Sequence, residues 1–213
     1  MPVPGILVRI LVLTAAAFLL LAPQSWARQS NLVTLFDGTL EGWTPVNTDG
    51  DRFTIVDGLL RVEGGAGWLR ADNQYTDFTL RAEFRWLTED ADSGIYVRAV
   101  ADSEFIRGWP NNSYQVQVRD PAGESRFPPV GGLFRHGTPP GDHLLDETAL
   151  DRAYRGTGEW HTIEIEMIGT TLRVVLNGIE ISRSENITNA AGFIGLQSEL
   201  GSMEYRSIEI AER

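Results

Sequence analysis

Two short stretches, Gly94–Arg98 and Ser113–Arg119, alternate apolar and polar residues, and that period constrains the fold more than any other feature of the chain. Successive side chains of a strand point to opposite faces. Ile95 and Val97 therefore oppose Tyr96 and Arg98, while Tyr114, Val116 and Val118 oppose Gln115, Gln117 and Arg119. The apolar face belongs in a core. The polar face carries amides, guanidinium groups and a phenol, whose directional donors, acceptors and flat surfaces suit a neutral polyhydroxylated ligand. A merely solvated face is the plainer reading of each residue alone, since antiparallel sheets commonly leave one side wet. The group together points to a site.

The same period recurs along the chain. From Asp77 to Leu87, Phe78, Leu80, Ala82, Phe84 and Trp86 fall on one face, with Thr79, Arg81, Glu83 and Arg85 on the other. From Glu159 to Ile168, His161, Ile163, Ile165 and Met167 oppose Trp160, Thr162, Glu164 and Glu166. Asp57-Gly58 and Asn177-Gly178 separate apolar runs in the manner of two-residue hairpin turns, which need positive φ. An edge strand is expected within 31–42, followed by a loop anchored by Trp43. Gly64–Trp68 is Gly-rich but lacks the Lys-Ser/Thr and the helix of a phosphate cradle. About eleven short strands with little helical period predict an all-β sandwich or barrel. The exception is 121–158, where the period dissolves into Pro, Gly and charge around a short helix expected within 144–154; irregular stretches of this length tend to be functional. His136 and His143 lie there, as site residues or as surface imidazoles.

Residues 1–27 read as a secretory leader: Arg9 is its one charge, Ile10–Ala22 is nearly unbroken apolar, and Ser25-Trp26-Ala27 resembles a cleavage site. An apolar run of about thirteen residues falls short of the roughly twenty that span a bilayer, so a soluble exported domain over 28–213 is expected rather than a retained anchor. The implied location is periplasmic or extracellular. The chain has no cysteine, which excludes a thiolate nucleophile and a disulfide framework. Every basic residue apart from His is Arg, which removes Schiff-base chemistry. The formal charge of −11 disfavours nucleic acid and anionic membranes as partners and leaves sugars, peptides or metal ions open. Asp90 and Asp92 in Asp90-Ala-Asp-Ser-Gly94 could ligate a divalent cation, but without the spacing of a calcium loop a turn is the preferred reading. No cofactor is expected.

Taken in order, several segments resemble a family of secreted bacterial domains called 3-keto-disaccharide (3-keto-glycoside) hydrolases. The segments are Leu35–Trp43, Phe53–Leu60, Tyr75–Phe84, Ser93–Arg98, Tyr114–Gln117, Glu159–Ile165, Leu176–Gly178, Gly195–Gln197 and Glu204–Arg206. The resemblance implies a concanavalin A-like jelly-roll sandwich of two antiparallel sheets, with a small-molecule or oligosaccharide substrate on a concave sheet face. On the polar face read from the alternation, Tyr96, Arg98, Gln115 and Gln117, together with Gln197, are the expected substrate-binding residues. Where the family is expected to read Tyr-Glu-Val/Phe-Gln this chain has Gln115, and a neutral amide cannot be a general base.

A ketone at C3 of a glycoside acidifies the proton on C2, so one base, donors near O3 and an acid at the leaving group suffice for cleavage. Glu83 as base and His136 as acid are the candidates, with Arg98, Gln115 and Gln117 around the keto oxygen; Glu83 also reads as a cross-strand partner of Arg98. All of Glu83, Tyr96, Arg98, Gln115 and Gln117 are expected on one face. A noncatalytic carbohydrate-binding module is the alternative, and a calcium-dependent adhesion domain a third reading.

Overall fold

A computed structural model describes residues 31–48, 51–100 and 106–213, and Asn31–Arg213 form one unit. The expected leader lies outside the described residues. Alternation at period two yields fifteen strands among them. The first eight are β1 (Val33–Phe36), β2 (Trp43–Val46), β3 (Phe53–Val56), β4 (Leu59–Glu63), β5 (Trp68–Tyr75), β6 (Phe78–Trp86), β7 (Gly94–Ala99) and β8 (Ser113–Gln117). Then follow β9 (Leu133–His136), β10 (His143–Leu145), helix α1 (Glu147–Ala153), β11 (His161–Ile168), β12 (Thr171–Leu176), β13 (Ile179–Ser184), β14 (Gly192–Gln197) and β15 (Ser202–Glu212). The excess over the expected count lies partly in 121–158, where β9 and β10 are too short to show a period. Trp43 opens β2, and its indole N–H donates to the Leu35 carbonyl at 2.6 Å.

Two antiparallel sheets result. The larger runs β10-β13-β12-β11-β6-β15-β4-β3, with β1 also pairing to β15; the smaller runs β2-β5-β14-β7-β8-β9. Their apolar faces meet in one core. Phe78, Leu80, Ala82, Phe84 and Trp86 of β6 join Ile163, Ile165 and Met167 of β11 against Ile95, Val97, Tyr114 and Val116 of the smaller sheet. Trp86 also donates its indole N–H to the Val118 carbonyl at 2.9 Å, so its burial leaves no polar atom orphaned. This is the concanavalin A-like jelly-roll arrangement.

The predicted turns are present: Asp57 and Gly58 have φ of 52° and 77°, Asn177 and Gly178 of 49° and 82°. Helix α1 is capped by Asp146, whose carboxylate accepts the Ala149 amide. The irregular stretch is fastened to the sandwich by the buried Asp120, which accepts hydrogen bonds from the hydroxyls of Tyr154 and Thr157.

The outward face of the larger sheet is a lattice of ion pairs. Glu204 receives Arg61 and Arg85, and Glu83 receives Arg81 at 3.2 Å and Arg206 at 2.7 Å. Arg85 and Arg206 both lie over the Trp160 ring, with their central carbons 4.7 and 4.5 Å from its centroid. This corrects the expectation for Glu83. Strand alternation gives a residue's face but not the sheet its strand joins, and β6 joins β11 and β15 rather than β7 and β8.

Candidate active site

The outward face of the smaller sheet carries the amides. Tyr96 pairs with Gln115 across β7 and β8, and Gly94 pairs with Gln117. Gly94 matters because a Cβ there would lie 2.5 Å from the Gln115 side chain, so the bare backbone lets Gln115 lie across β7. Gln115 thereby reaches β14: its Nε2 donates to Gln197 Oε1 at 2.9 Å and to Gln117 Oε1 at 2.6 Å. Gln117 Nε2 in turn donates to Asp92 Oδ1 at 2.7 Å. At the other end His136 Nε2 lies 2.8 Å from Gln115 Oε1. Since that oxygen can only accept, the imidazole donates from Nε2.

With Gln115 at its centre, these groups form the floor and walls of a pocket of about 120 Å³ lined also by Asp92, Glu199, Gln117, Gln197, His136 and Trp109, with Phe127 and Phe134 completing it. The Phe134 ring stacks on His136, with centroids 6.0 Å apart. Behind the amides Trp68 and Tyr96 meet edge to face at 5.7 Å. At this site two buried polar atoms, the Gln197 Nε2 and the Tyr96 hydroxyl, have no hydrogen-bond partner among the described residues. Leaving such groups unpaired costs about 1–3 kcal/mol each, so a ligand that accepts from Gln197 meets a site already made ready for it.

Asp92 is the group that the sequence reading assigned to a turn. It is 8% exposed, and its backbone bridges to Leu200 just before β7 begins. Burial, reinforced by the charge of Glu199 and opposed by Arg119, pushes its carboxyl up to about 7. Burial also raises Glu199, with Arg107 pulling against it. The pocket therefore holds two carboxylic groups that take protons more readily than usual. One signal for Asp92 was present: carried back past Gly94, the parity of Tyr96 places residue 92 on the polar face.

The structure brings Tyr96, Gln115, Gln117, Gln197 and His136 together, and excludes Glu83 and Arg98. Glu83 lies on the outward face of the other sheet; burial works against its charge, but Arg206 and Arg81 outweigh it and hold the carboxyl below its usual range. Arg98 is displaced by a bulge. Tyr96 to Ala99 opposes Phe193 to Gly195 with one residue more on β7, and Arg98 takes φ of 46°. Its guanidinium points to the end of the sandwich, where it donates to the carbonyls of Thr76, Gly169 and Asn189 and to the Asp77 carboxylate. His136 is in the pocket, but burial pulls its pKa down to about 4. A neutral imidazole donating to Gln115 is a poor acid near neutral pH. His143 lies elsewhere, bonded to Ser184 on the edge of the larger sheet.

No group of three or more His, Cys, Asp or Glu among the described residues is placed to hold a metal ion, and no described helix is long and apolar enough to cross a membrane.

The two sheets form a jelly-roll sandwich with an amide-rich pocket on the outward face of the smaller one. Residues 31–211 match the 3-keto-alpha-glucoside-1,2-lyase-like domain, and the chain belongs to that family. Among solved structures the fold is similar to that of a candidate glycosyl hydrolase from Parabacteroides distasonis, at 21% identity and a TM-score of 0.65, covering 85% of this chain and 99% of that one. A second candidate glycosyl hydrolase from that organism aligns at 13% identity and a TM-score of 0.63, over 85% and 94% of the two chains. The carbohydrate-binding module CBM66 of Bacillus subtilis aligns at 12% identity and 0.51, over 78% and 93%. No curated protein matches the chain.

Proposed function

We propose that the protein cleaves 3-keto-glycosides by abstracting the C2 proton, with Asp92 as the base. The observation that carries this reading is a buried carboxyl pushed up to about 7 in the pocket of the smaller sheet, hydrogen-bonded by Gln117 and beside an unpaired amide donor on Gln197. A base with a pKa near the working pH combines a high ionised fraction with a strong pull on the proton, and an ordinary carboxylate near 4 would be the weaker base.

In this scheme Asp92 takes the C2 proton, the C–H electrons form the C2–C3 double bond, and the charge moves to O3. Gln197 Nε2 donates to that oxygen. As the carbonyl re-forms, a C1–C2 double bond develops and the C1–O bond breaks, the departing oxygen taking a proton from Glu199. Water adding across the new double bond completes a hydrolysis; release without it is an elimination. Gln115 and Gln117 position Asp92 and Gln197, and His136 positions Gln115. Glu83 has no part.

The test is release of the aglycone from a chromogenic 3-keto-glucoside compared with its unoxidised parent, together with exchange of the C2 hydrogen in deuterated water. The expected result is turnover and exchange with the keto compound alone. Equal cleavage of both compounds contradicts the mechanism, and saturable binding without turnover supports a carbohydrate-binding module instead.

A further inference from the structure

A second cavity, of about 270 Å³, is lined by Asn47, Thr48, Arg52, Gly65, Ala66 and Arg107. We infer that this cavity is a subsite for an anionic substituent, a carboxylate or sulfate, on the sugar next to the one that is cleaved. The inference rests on the proposed reading of the first pocket. Arg107 joins the two cavities: it lines the second, while its guanidinium stands 3.8 Å from Glu199 and lies over the Trp109 ring at 5.3 Å, both walls of the first. A ligand extending from one pocket to the other passes Arg107.

The cavity is built to present positive charge. Most arginines of this acidic chain are spent on carboxylates or carbonyls, yet among the described residues the half-buried Arg52 guanidinium makes no hydrogen bond or ion pair. Arg107 is held in place from its backbone outward, with φ of 59°, its carbonyl accepting from Gly67 N–H at 3.0 Å and its Nη2 donating to Gly65 O at 3.0 Å. Gly65 also makes room for Arg52: a Cβ there would sit 2.7 Å from Arg52 Nε. The Thr48 hydroxyl is buried without a partner in the same wall. Two guanidinium groups and a hydroxyl match an oxyanion, because the planar fork donates to two oxygens at once. A neutral sugar would leave the Arg52 charge unused.

The experiment follows the arginine Nε–H signals by NMR while the whole protein is titrated with glucuronate, glucose 6-sulfate or glucose. Saturable shifts of Arg52 and Arg107 with either anion, and none with glucose, are expected; which anion binds tighter distinguishes the two sources. Arg52→Gln, and separately Gly65→Ala, which crowds Arg52 from its place, should each weaken the anion about tenfold or more, as loss of a charge-assisted bond does. Equal response to glucose, or undiminished anion binding in both folded variants, overturns the inference. The readout needs no turnover, so it fails separately from the proposed activity: cleavage of neutral 3-keto-glucosides with no anion effect leaves that activity standing and removes only this subsite.

Discussion

Asp92 is held where stability and chemistry pull in opposite directions. Its carboxyl titrates near 7 in the folded protein against an ordinary value of 3.8, so between those values the folded state binds more protons than the unfolded one. Stability attributable to this group is therefore fully present below about pH 4 and falls as pH rises towards 7, by at most about 1.4 kcal/mol per pH unit. Asp92→Asn keeps an oxygen to accept from Gln117 and removes the charge. It is expected to melt higher than the parent at pH 7.5 and no higher at pH 4, which thermal unfolding at the two pH values checks; an equal shift at both contradicts the buried-charge account. Turnover in the parent should rise with pH through about 7, where Asp92 ionises. Gln115 offers a second test. In Gln115→Glu a carboxylate faces His136 Nε2 across a 2.8 Å contact, so the imidazole pKa should climb well above its present value of about 4, and NMR titration of the ring protons reads the change directly. A His136 pKa that stays near 4 would show that the two side chains do not meet.

At the scale of elements, most of the sandwich was legible and its exceptions were not. The faces of β6, β7, β8 and β11 follow from alternation, and Asp57-Gly58 and Asn177-Gly178 form the expected turns because those residues accept positive φ. The bulge in β7 carries no comparable signal: Gly94–Arg98 alternates evenly, and Arg98 leaves the pattern only because its guanidinium finds three carbonyls and Asp77 at the end of the sandwich. Arg98→Ala strips a buried group and orphans its acceptors, so a loss of about 3–5 kcal/mol in urea unfolding is expected. A loss below about 1 kcal/mol would show that the latch is not needed. Asp92 was misread for a related reason. Asp-Ala-Asp-Ser-Gly has the composition of a turn, and only the pairing of Asp92 with Leu200 buries it beside Glu199 and Gln117. Glu83 failed on sheet membership, which long-range pairing decides.

Across the whole molecule, ion pairs and pocket-lining amides segregate between the two sheets. The larger sheet spends its outward charges on one another, through Glu204 with Arg61 and Arg85 and through Glu83 with Arg81 and Arg206, while the smaller sheet keeps amides, a raised carboxyl and aromatic rings around an open pocket. Export is expected to remove the leader after Ala27, and N-terminal sequencing of the natively expressed protein should begin at Arg28; an intact Met1 or Pro2 in a membrane fraction contradicts this. The two sheets also supply a matched pair of variants for the central claim. Turnover of 3-keto-trehalose should fall about 10²–10⁴-fold in Asp92→Asn, the usual worth of a general base, and stay within a factor of about two in Glu83→Gln. Full activity in Asp92→Asn, or its loss in Glu83→Gln with the fold intact, would place the base elsewhere and contradict the account.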